Sequence, residues 1–164
     1  MPRHYIYRID HDENFAPNVD YKICTLCGCK DSTIEVWAEK GSWVIGIGGN
    51  GTGKPNKLIY AMKVEETLTY SQFRIRFSLK SKYLQGIARR KTKNVLFSRR
   101  FYYFGDKAID LPHKLRHIII PGRGCKRVSD SDTTKLANYL AREYRYGKHG
   151  NPNNGDSCAR HTKC

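Results

Sequence analysis

The sequence predicts an α+β domain built on a small curved mixed sheet or barrel with flanking short helices. Short runs rich in β-branched and aromatic residues alternate with turn residues, which is typical of strands. A glycine-rich loop joins two of these runs into a β-hairpin within residues 41–64. Several strands with short helices between them, and one clear helical pattern late in the chain, indicate this class.

The strands are predicted from alternation and from short apolar runs. In chain order they cover residues 4–9, 21–26, 43–47, 58–70 and 95–104. The first alternates polar with apolar or aromatic side chains. Gly46, Gly48 and Gly49 lie in or beside the third strand, where glycine is unfavourable unless a bulge, a barrel corner or a closely approaching ligand requires it.

The helices are predicted from caps and from apolar spacing. They cover residues 33–39, 71–77, 111–117 and 134–146, and the last is capped by Asp132 or Thr133 and ends at Gly147. Residues 1–147 are expected to form a single domain. Residues 148–164 are polar and almost without apolar side chains, so we expect a disordered tail there.

The loop of the hairpin imitates a nucleotide-binding motif. Residues 48–54 match the first seven positions of the P-loop pattern, but the eighth position is Pro55, which has no hydroxyl to bind Mg²⁺. β-branched and aromatic residues follow instead of a helix whose N-terminus could face a phosphate. The sequence therefore argues against nucleotide hydrolysis by a P-loop.

The net charge is +15, and most of it lies in the middle of the chain. Residues 74–127 carry sixteen basic and two acidic side chains, whereas the segments on either side are almost neutral. A basic segment on an otherwise balanced domain is typical of a protein that binds a polyanion. The alternative is a solvated surface that keeps the protein soluble. The expected contacts to a nucleic-acid backbone are Arg89, Arg90, Lys91, Lys93, Arg99 and Arg100.

The chain has six cysteines, no signal-peptide core and no apolar run of transmembrane length. We therefore expect a cytoplasmic protein with no disulfide framework and no membrane partner. No cofactor is favoured. The alternative is a structural zinc ion held by one or both of two cysteine-rich clusters. The candidate ligands are Cys24, Cys27, Cys29, Cys158, His161 and Cys164.

Five segments, taken in order, carry a resemblance to a known family. They are residues 15–18, Cys24–Leu26 with Cys29 and Lys30, residues 41–46, residues 58–64 and residues 101–105. Together they resemble the nucleotide modification associated domain of type 2. Ser42 stands where that family tends to carry Asp, and Cys27 is an additional cysteine. The family occurs near DNA base-modification systems of bacteria and phages, so the resemblance implies a role with modified bases.

The hairpin is also similar to the central hairpin of PUA-like domains such as the EVE and YTH groups. This similarity implies a PUA-like β-barrel that holds a flipped or modified base in an aromatic-lined pocket. The expected partner is DNA or a modified nucleotide. The expected base or ligand contacts are Phe15, Asn18, Trp43, Tyr60, Lys63, Tyr103 and Arg123.

Two alternatives to a base-binding module stay open at this point. The first is an enzyme acting on a modified base or nucleotide through the loop of residues 10–18, with Asp12 and Cys24 as catalytic candidates. Carboxylates near a thiol raise its pKa, so an active thiolate would need a cation such as Lys30 close by. The second is an interaction protein stabilised by zinc.

Overall fold

The computed structural model describes residues 1–13, 17–19, 22–26, 34, 37–77 and 94–155. Within these residues the strands form two sheets. The strands are β1 His4–Ile9, β2 Cys24–Leu26, β3 Trp43–Gly48, β4 Leu58–Lys63, β5 Glu66–Thr69, β6 Asn94–Ser98, β7 Phe101–Tyr103, β8 Cys125–Val128 and β9 Gly147–Lys148.

The larger sheet has six strands in the order β8-β1-β3-β4-β7-β9. Its β1–β3 and β7–β9 pairs are parallel, and its other pairs are antiparallel. The smaller sheet is antiparallel, in the order β2-β6-β5. The predicted α+β class with a mixed sheet is confirmed.

The predicted central hairpin is confirmed as β3 and β4. These strands pair from Trp43 with Lys63 to Ile47 with Leu58, with a register irregularity between Gly46 and Ile47. Their connection contains a 3₁₀ turn, Asn50–Thr52. It leads into β4 and not into a helix, in agreement with the argument against a P-loop.

Two predicted strand segments, 58–70 and 95–104, each divide between the two sheets. After β4 the backbone N–H of Val64 donates to Ser42 O at 2.8 Å, and the N–H of Glu65 donates to Phe97 O at 3.0 Å. The chain therefore changes partner within one residue and enters the smaller sheet as β5. In the same way β6 belongs to the smaller sheet and β7 to the larger.

The described helices lie close to their predicted positions. α1 covers Tyr70–Arg76 and begins with a capping box between Thr69 and Gln72. α2 covers Asp130–Glu143 and starts four residues earlier than predicted, because the side chain of Ser129 accepts a hydrogen bond from the N–H of Asp132. Short 3₁₀ helices occupy Gly105–Lys107 and His113–Ile118. Residues 33, 35 and 36 of the predicted helix at 33–39 lie outside the described residues.

Apolar side chains cover both faces of the larger sheet. One face, which includes Tyr5, Ile9, Met62 and Phe101, packs toward Cys24 and Leu96 of the smaller sheet. The other face, which includes Ile6, Ile45 and Leu58, packs against Leu115 of the 3₁₀ helix at 113–118 and against Leu136 and Leu140 of α2. No helix in the described part of the chain is long and apolar enough to cross a membrane.

The segment after α2 differs from the expected disordered tail through residue 155. β9 pairs with β7, and the N–H of His149 donates to Tyr103 O at 2.7 Å. Gly150 packs so tightly that a Cβ there would lie 1.9 Å from Phe104 O. Backbone hydrogen bonds and close packing hold this polar segment, and composition does not reveal either. Residues 156–164 lie outside the described residues.

Candidate functional site

A row of side chains crosses the larger sheet on the face that packs toward the smaller sheet. In register across β1, β3, β4 and β7 it consists of Tyr7, Gly46, Tyr60 and Tyr103. Directly opposed residues of neighbouring strands project to the same face, so the three rings lie side by side. We call this set the tyrosine row.

Gly46 makes room for the centre of the tyrosine row. A Cβ at this position would lie 2.4 Å from Cε1 of Tyr60 and 2.6 Å from Cδ1 of Ile9. The Tyr60 ring therefore occupies the space that a side chain at position 46 would fill. The group whose close approach requires a glycine here is therefore a side chain of the protein itself and not a ligand.

Tyr7 and Tyr60 form one hydrogen-bonded pair within the row. Their hydroxyl oxygens are 2.8 Å apart, and their rings meet edge to face with centroids 6.1 Å apart. Tyr60 is fully buried, whereas Tyr7 is half-buried. Tyr7 is therefore the member of the pair that solvent reaches. It was not among the predicted contacts, although the alternation of β1 gives its face.

Tyr103 and Asp12 form the second polar element of the row. The Tyr103 hydroxyl donates to Asp12 Oδ1 at 2.7 Å, and Asp12 Oδ2 accepts from the backbone N–H and the side-chain amide of Asn153 at 3.0 and 2.8 Å. Both Tyr103 and Asp12 are buried. Burial, reinforced by the Asp12 carboxylate, raises the pKa of Tyr103 far above its usual range, so its hydroxyl stays protonated and serves as a donor.

Asn18 and Arg123 were predicted as ligand contacts, and neither is a member of the tyrosine row. Asn18 is buried, and its backbone exchanges two hydrogen bonds with Thr25 at 2.8 and 2.9 Å. Arg123 lies in the turn before β8 with its side chain 84% exposed, and its Nε is 3.5 Å from Asp10 Oδ2. Its exposure leaves it accessible to a phosphate. Phe15 lies outside the described residues.

Arg8 on β1 joins the end of β3 and the β3–β4 connection to the segment before β8, and it was not predicted as functional. Its guanidinium donates to Gly48 O at 3.1 Å, to Asn56 Oδ1 at 2.9 Å and to Ile120 O. All three acceptors are neutral, and the buried Nε has no hydrogen-bond partner among the described residues. The contacts assign Arg8 to holding the β3–β4 connection and the segment before β8 against β1.

Cys24 is completely buried in β2. Burial raises the pKa of its thiol far above the ordinary value, so the thiolate that nucleophilic attack requires is strongly disfavoured. The described residues therefore argue against Cys24 as a nucleophile. Asp12 also has little freedom for proton transfer, because three donors already engage its carboxylate.

No group of three His, Cys, Asp or Glu side chains in the described residues is arranged to hold a metal ion. Of the proposed ligands, Cys24 is described and buried. Cys27, Cys29, Cys158, His161 and Cys164 lie outside the described residues, so a zinc site stays a prediction.

The exposed cations that the structure describes include Arg99 and Arg100, in the turn between β6 and β7. The Arg99 guanidinium lies over the Phe97 ring, 5.0 Å from its centroid, and Arg100 Nε is 3.6 Å from Glu65 Oε1. Both side chains lie on the surface. The other expected backbone contacts, Arg89, Arg90, Lys91 and Lys93, lie outside the described residues.

Trp43 and Lys63 are not part of the tyrosine row. They form the first register pair of β3 and β4 and line a separate groove beside α2. Trp43 is 7% exposed and contributes to the core, and Lys63 is half-buried. The structure therefore distributes the predicted ligand contacts over two places.

Comparison with models of protein families identifies the family of this chain. The model of nucleotide modification associated domain 2 matches residues 1–90 and 84–159. The chain belongs to this family. No curated protein matches the chain.

Two solved structures of an ASCH protein from Zymomonas mobilis are similar to this member of the family. The first is 10% identical, with a TM-score of 0.43, and covers 82% of this chain and 94% of its own. The second, a point variant of the same protein, is 9% identical, with a TM-score of 0.43, and covers 85% and 99%. No argument about function rests on this likeness.

Proposed function

We propose that this domain binds nucleic acid and recognises a modified base at the tyrosine row, as part of a DNA base-modification or phage-defence system. The family supplies the link to nucleotide modification. The concentration of positive charge in residues 74–127 supplies the link to a polyanion. Together they favour a nucleic acid over a protein partner.

The observation that carries the proposal is the tyrosine row itself. Recognition of a base needs flat apolar faces and a few fixed polar groups. The row offers three rings on one face, with the Tyr7–Tyr60 and Tyr103–Asp12 hydrogen bonds already in place. Tyr7 is the half-buried member, so a base would meet its ring first.

Backbone contacts come from exposed cations in this proposal. Arg99 and Arg100 project from the β6–β7 turn and would contact phosphates without reading sequence. An enzyme that uses Cys24 draws no support from the described residues, because the thiol is buried and protonated.

The test compares binding to matched single-stranded and duplex DNA, unmodified or carrying a hypermodified pyrimidine, over a salt series. We expect a preference for modified DNA that Tyr7→Phe reduces. Replacing Arg99 and Arg100 with Gln is expected to weaken binding equally for both DNAs. The same replacement should lower the salt slope by roughly 1 for each phosphate that the protein no longer neutralises.

Tyr139→Phe is the matched control, because Tyr139 on α2 forms a hydrogen-bonded pair with Tyr144 on the other face of the sheet. Each substitution therefore removes a hydroxyl from a tyrosine pair. Equal effects of Tyr7→Phe and Tyr139→Phe would contradict recognition at the row. Absence of binding at low salt would contradict the nucleic-acid function.

A further inference from the structure

A groove of about 430 Å³ lies between helix α2 and the starting ends of β1 and β3. This helix groove is on the opposite face of the sheet from the tyrosine row. Its volume falls in the range of small-molecule sites. The side chains that matter for its chemistry are His4, Trp43, Lys63, Thr133, Asn138 and Tyr146.

His4 presents a hydrogen-bond donor at the groove. Its Nδ1 accepts the backbone N–H of Trp43 at 3.0 Å, so the neutral ring carries its proton on Nε2, 3.5 Å from Asp130 Oδ1. The pKa of His4 is lowered, mainly because burial disfavours the charged ring. The Asp130 carboxylate opposes this shift, and the charge of Lys63 adds to it. At neutral pH His4 is therefore a donor and not a general base.

Lys63 and Thr133 add two further polar groups. Lys63 lies close enough for its charge to act on His4, and it makes no ion pair within the described part of the chain. The Thr133 hydroxyl is buried without a hydrogen-bond partner among the described residues. A χ1 rotation moves the Thr133 hydroxyl to another staggered position, so it can turn toward a ligand without breaking an existing hydrogen bond.

The other wall of the groove suits a planar apolar group. Ala137 and Ala141 lie one helical turn apart on α2, so this wall is shallow and smooth. The Tyr146 ring is half exposed and rests on Tyr102, with ring centroids 4.8 Å apart. A flat ring would contact Tyr146 on one side and the alanines on the other.

We propose that the helix groove binds a single nucleotide, with its phosphate at Lys63 and His4 and its base against Tyr146 and Ala141. A free nucleoside monophosphate and the terminal nucleotide of a strand share this chemistry. The site goes beyond the proposed recognition at the tyrosine row and does not depend on it. Asp130 is the one described carboxylate that competes for the His4 donor, and it is 68% exposed at the rim.

The test titrates the whole protein with deoxycytidine monophosphate, deoxycytidine, inorganic phosphate and a 5′-phosphorylated oligonucleotide. Shifts of the backbone amide resonances locate the binding site, and calorimetry measures the affinity for each probe. We expect the monophosphate to shift Trp43, Lys63 and Thr133 and to bind more tightly than the nucleoside or phosphate. Lys63→Gln should weaken binding about tenfold, the effect of removing one charge-assisted hydrogen bond. Ala141→Leu should fill the groove and abolish binding.

Two further variants separate this site from general charge attraction. Asp130→Asn removes the competing carboxylate, so we expect tighter monophosphate binding. Lys135→Gln removes a cation from α2 outside the groove and should change nothing. Equal weakening by Lys135→Gln and Lys63→Gln, or no shift with any probe, would overturn the proposal. Unchanged monophosphate binding in Tyr7→Phe would show that the two sites are independent. Tighter binding of the oligonucleotide than of the monophosphate would identify a strand end as the nucleotide that the groove binds.

Discussion

Gly46→Ala tests the architecture of the tyrosine row. The new Cβ would lie 2.4 Å from Cε1 and 2.5 Å from Cδ1 of Tyr60, and 2.6 Å from Cδ1 of Ile9. Ordinary van der Waals contact begins near 3.4 Å, so the Tyr60 ring would have to move by about 1 Å. Tyr60 and Ile9 are both buried, which leaves no open space for that movement.

Overpacking of this kind costs about 1–3 kcal/mol in a well-packed core. Displacement of the Tyr60 ring would also disturb the Tyr7–Tyr60 hydrogen bond, worth about 1 kcal/mol. We therefore expect Gly46→Ala to lower the free energy of unfolding by about 2–4 kcal/mol. Equilibrium unfolding in urea, followed by tryptophan fluorescence, measures this change.

Gly122→Ala is the control, because a Cβ there has no heavy atom within 4 Å. Its effect should stay within about 0.5 kcal/mol. In a double-mutant cycle, Tyr60→Leu should relieve part of the cost of Gly46→Ala, because the two positions compete for one space. A destabilisation by Gly46→Ala no larger than that by Gly122→Ala, or strict additivity with Tyr60→Leu, would refute the packing argument.

Three further predictions address stability, titration and reactivity. Asn153→Ala removes one hydrogen-bond donor from the buried Asp12 carboxylate and should lower the free energy of unfolding by about 1.5–3 kcal/mol. Hydrogen exchange in residues 149–155 should become faster, and Asn138→Ala at an exposed position of α2 is the control. Burial lowers the pKa of His4, so the contribution of neutral His4 to stability is present above pH 6.5 and is lost as pH falls below 6.5. Unfolding measured at several pH values should show this loss, and His4→Gln should remove the pH dependence. Site-resolved alkylation should modify half-buried Cys125 in the native protein and Cys24 only on unfolding, and rapid native labelling of Cys24 would contradict its burial.

Local patterns in the sequence were sufficient for the elements that depend on local chemistry. Alternation located β1, the glycine-rich loop located the β3–β4 hairpin, and α1 and α2 lie within four residues of their predicted positions. The cap of α2 is Ser129, however, and not the predicted Asp132 or Thr133. Tyr60 and Tyr103, which were predicted as ligand contacts, lie on the inner strands β4 and β7 of the larger sheet. Their register, which makes them neighbours in one row, depends on pairing between β4 and β7 and is not visible in the sequence.

The features that the sequence did not reveal depend on distant contacts. β8 carries Lys126 and Arg127 on an edge strand, so it lacks the alternation of a buried strand. Asp12 is satisfied by Asn153, 141 residues away, which stabilises a segment without apolar side chains. The groove between α2 and the ends of β1 and β3 likewise exists only once those elements pack together.

The burial of the row restricts how a base could reach it. Tyr60 and Tyr103 are fully covered, and the segment containing Asn153 lies over the Asp12 end, whereas Tyr7 is half-buried at the other end. In the proposed function the base enters beside Tyr7, so loosening the Asn153 segment should leave the affinity for modified DNA unchanged. If Asn153→Ala instead raised that affinity while lowering stability, the segment would act as a cover over the site. Measuring both quantities on this one variant therefore separates entry beside Tyr7 from entry beneath the C-terminal segment.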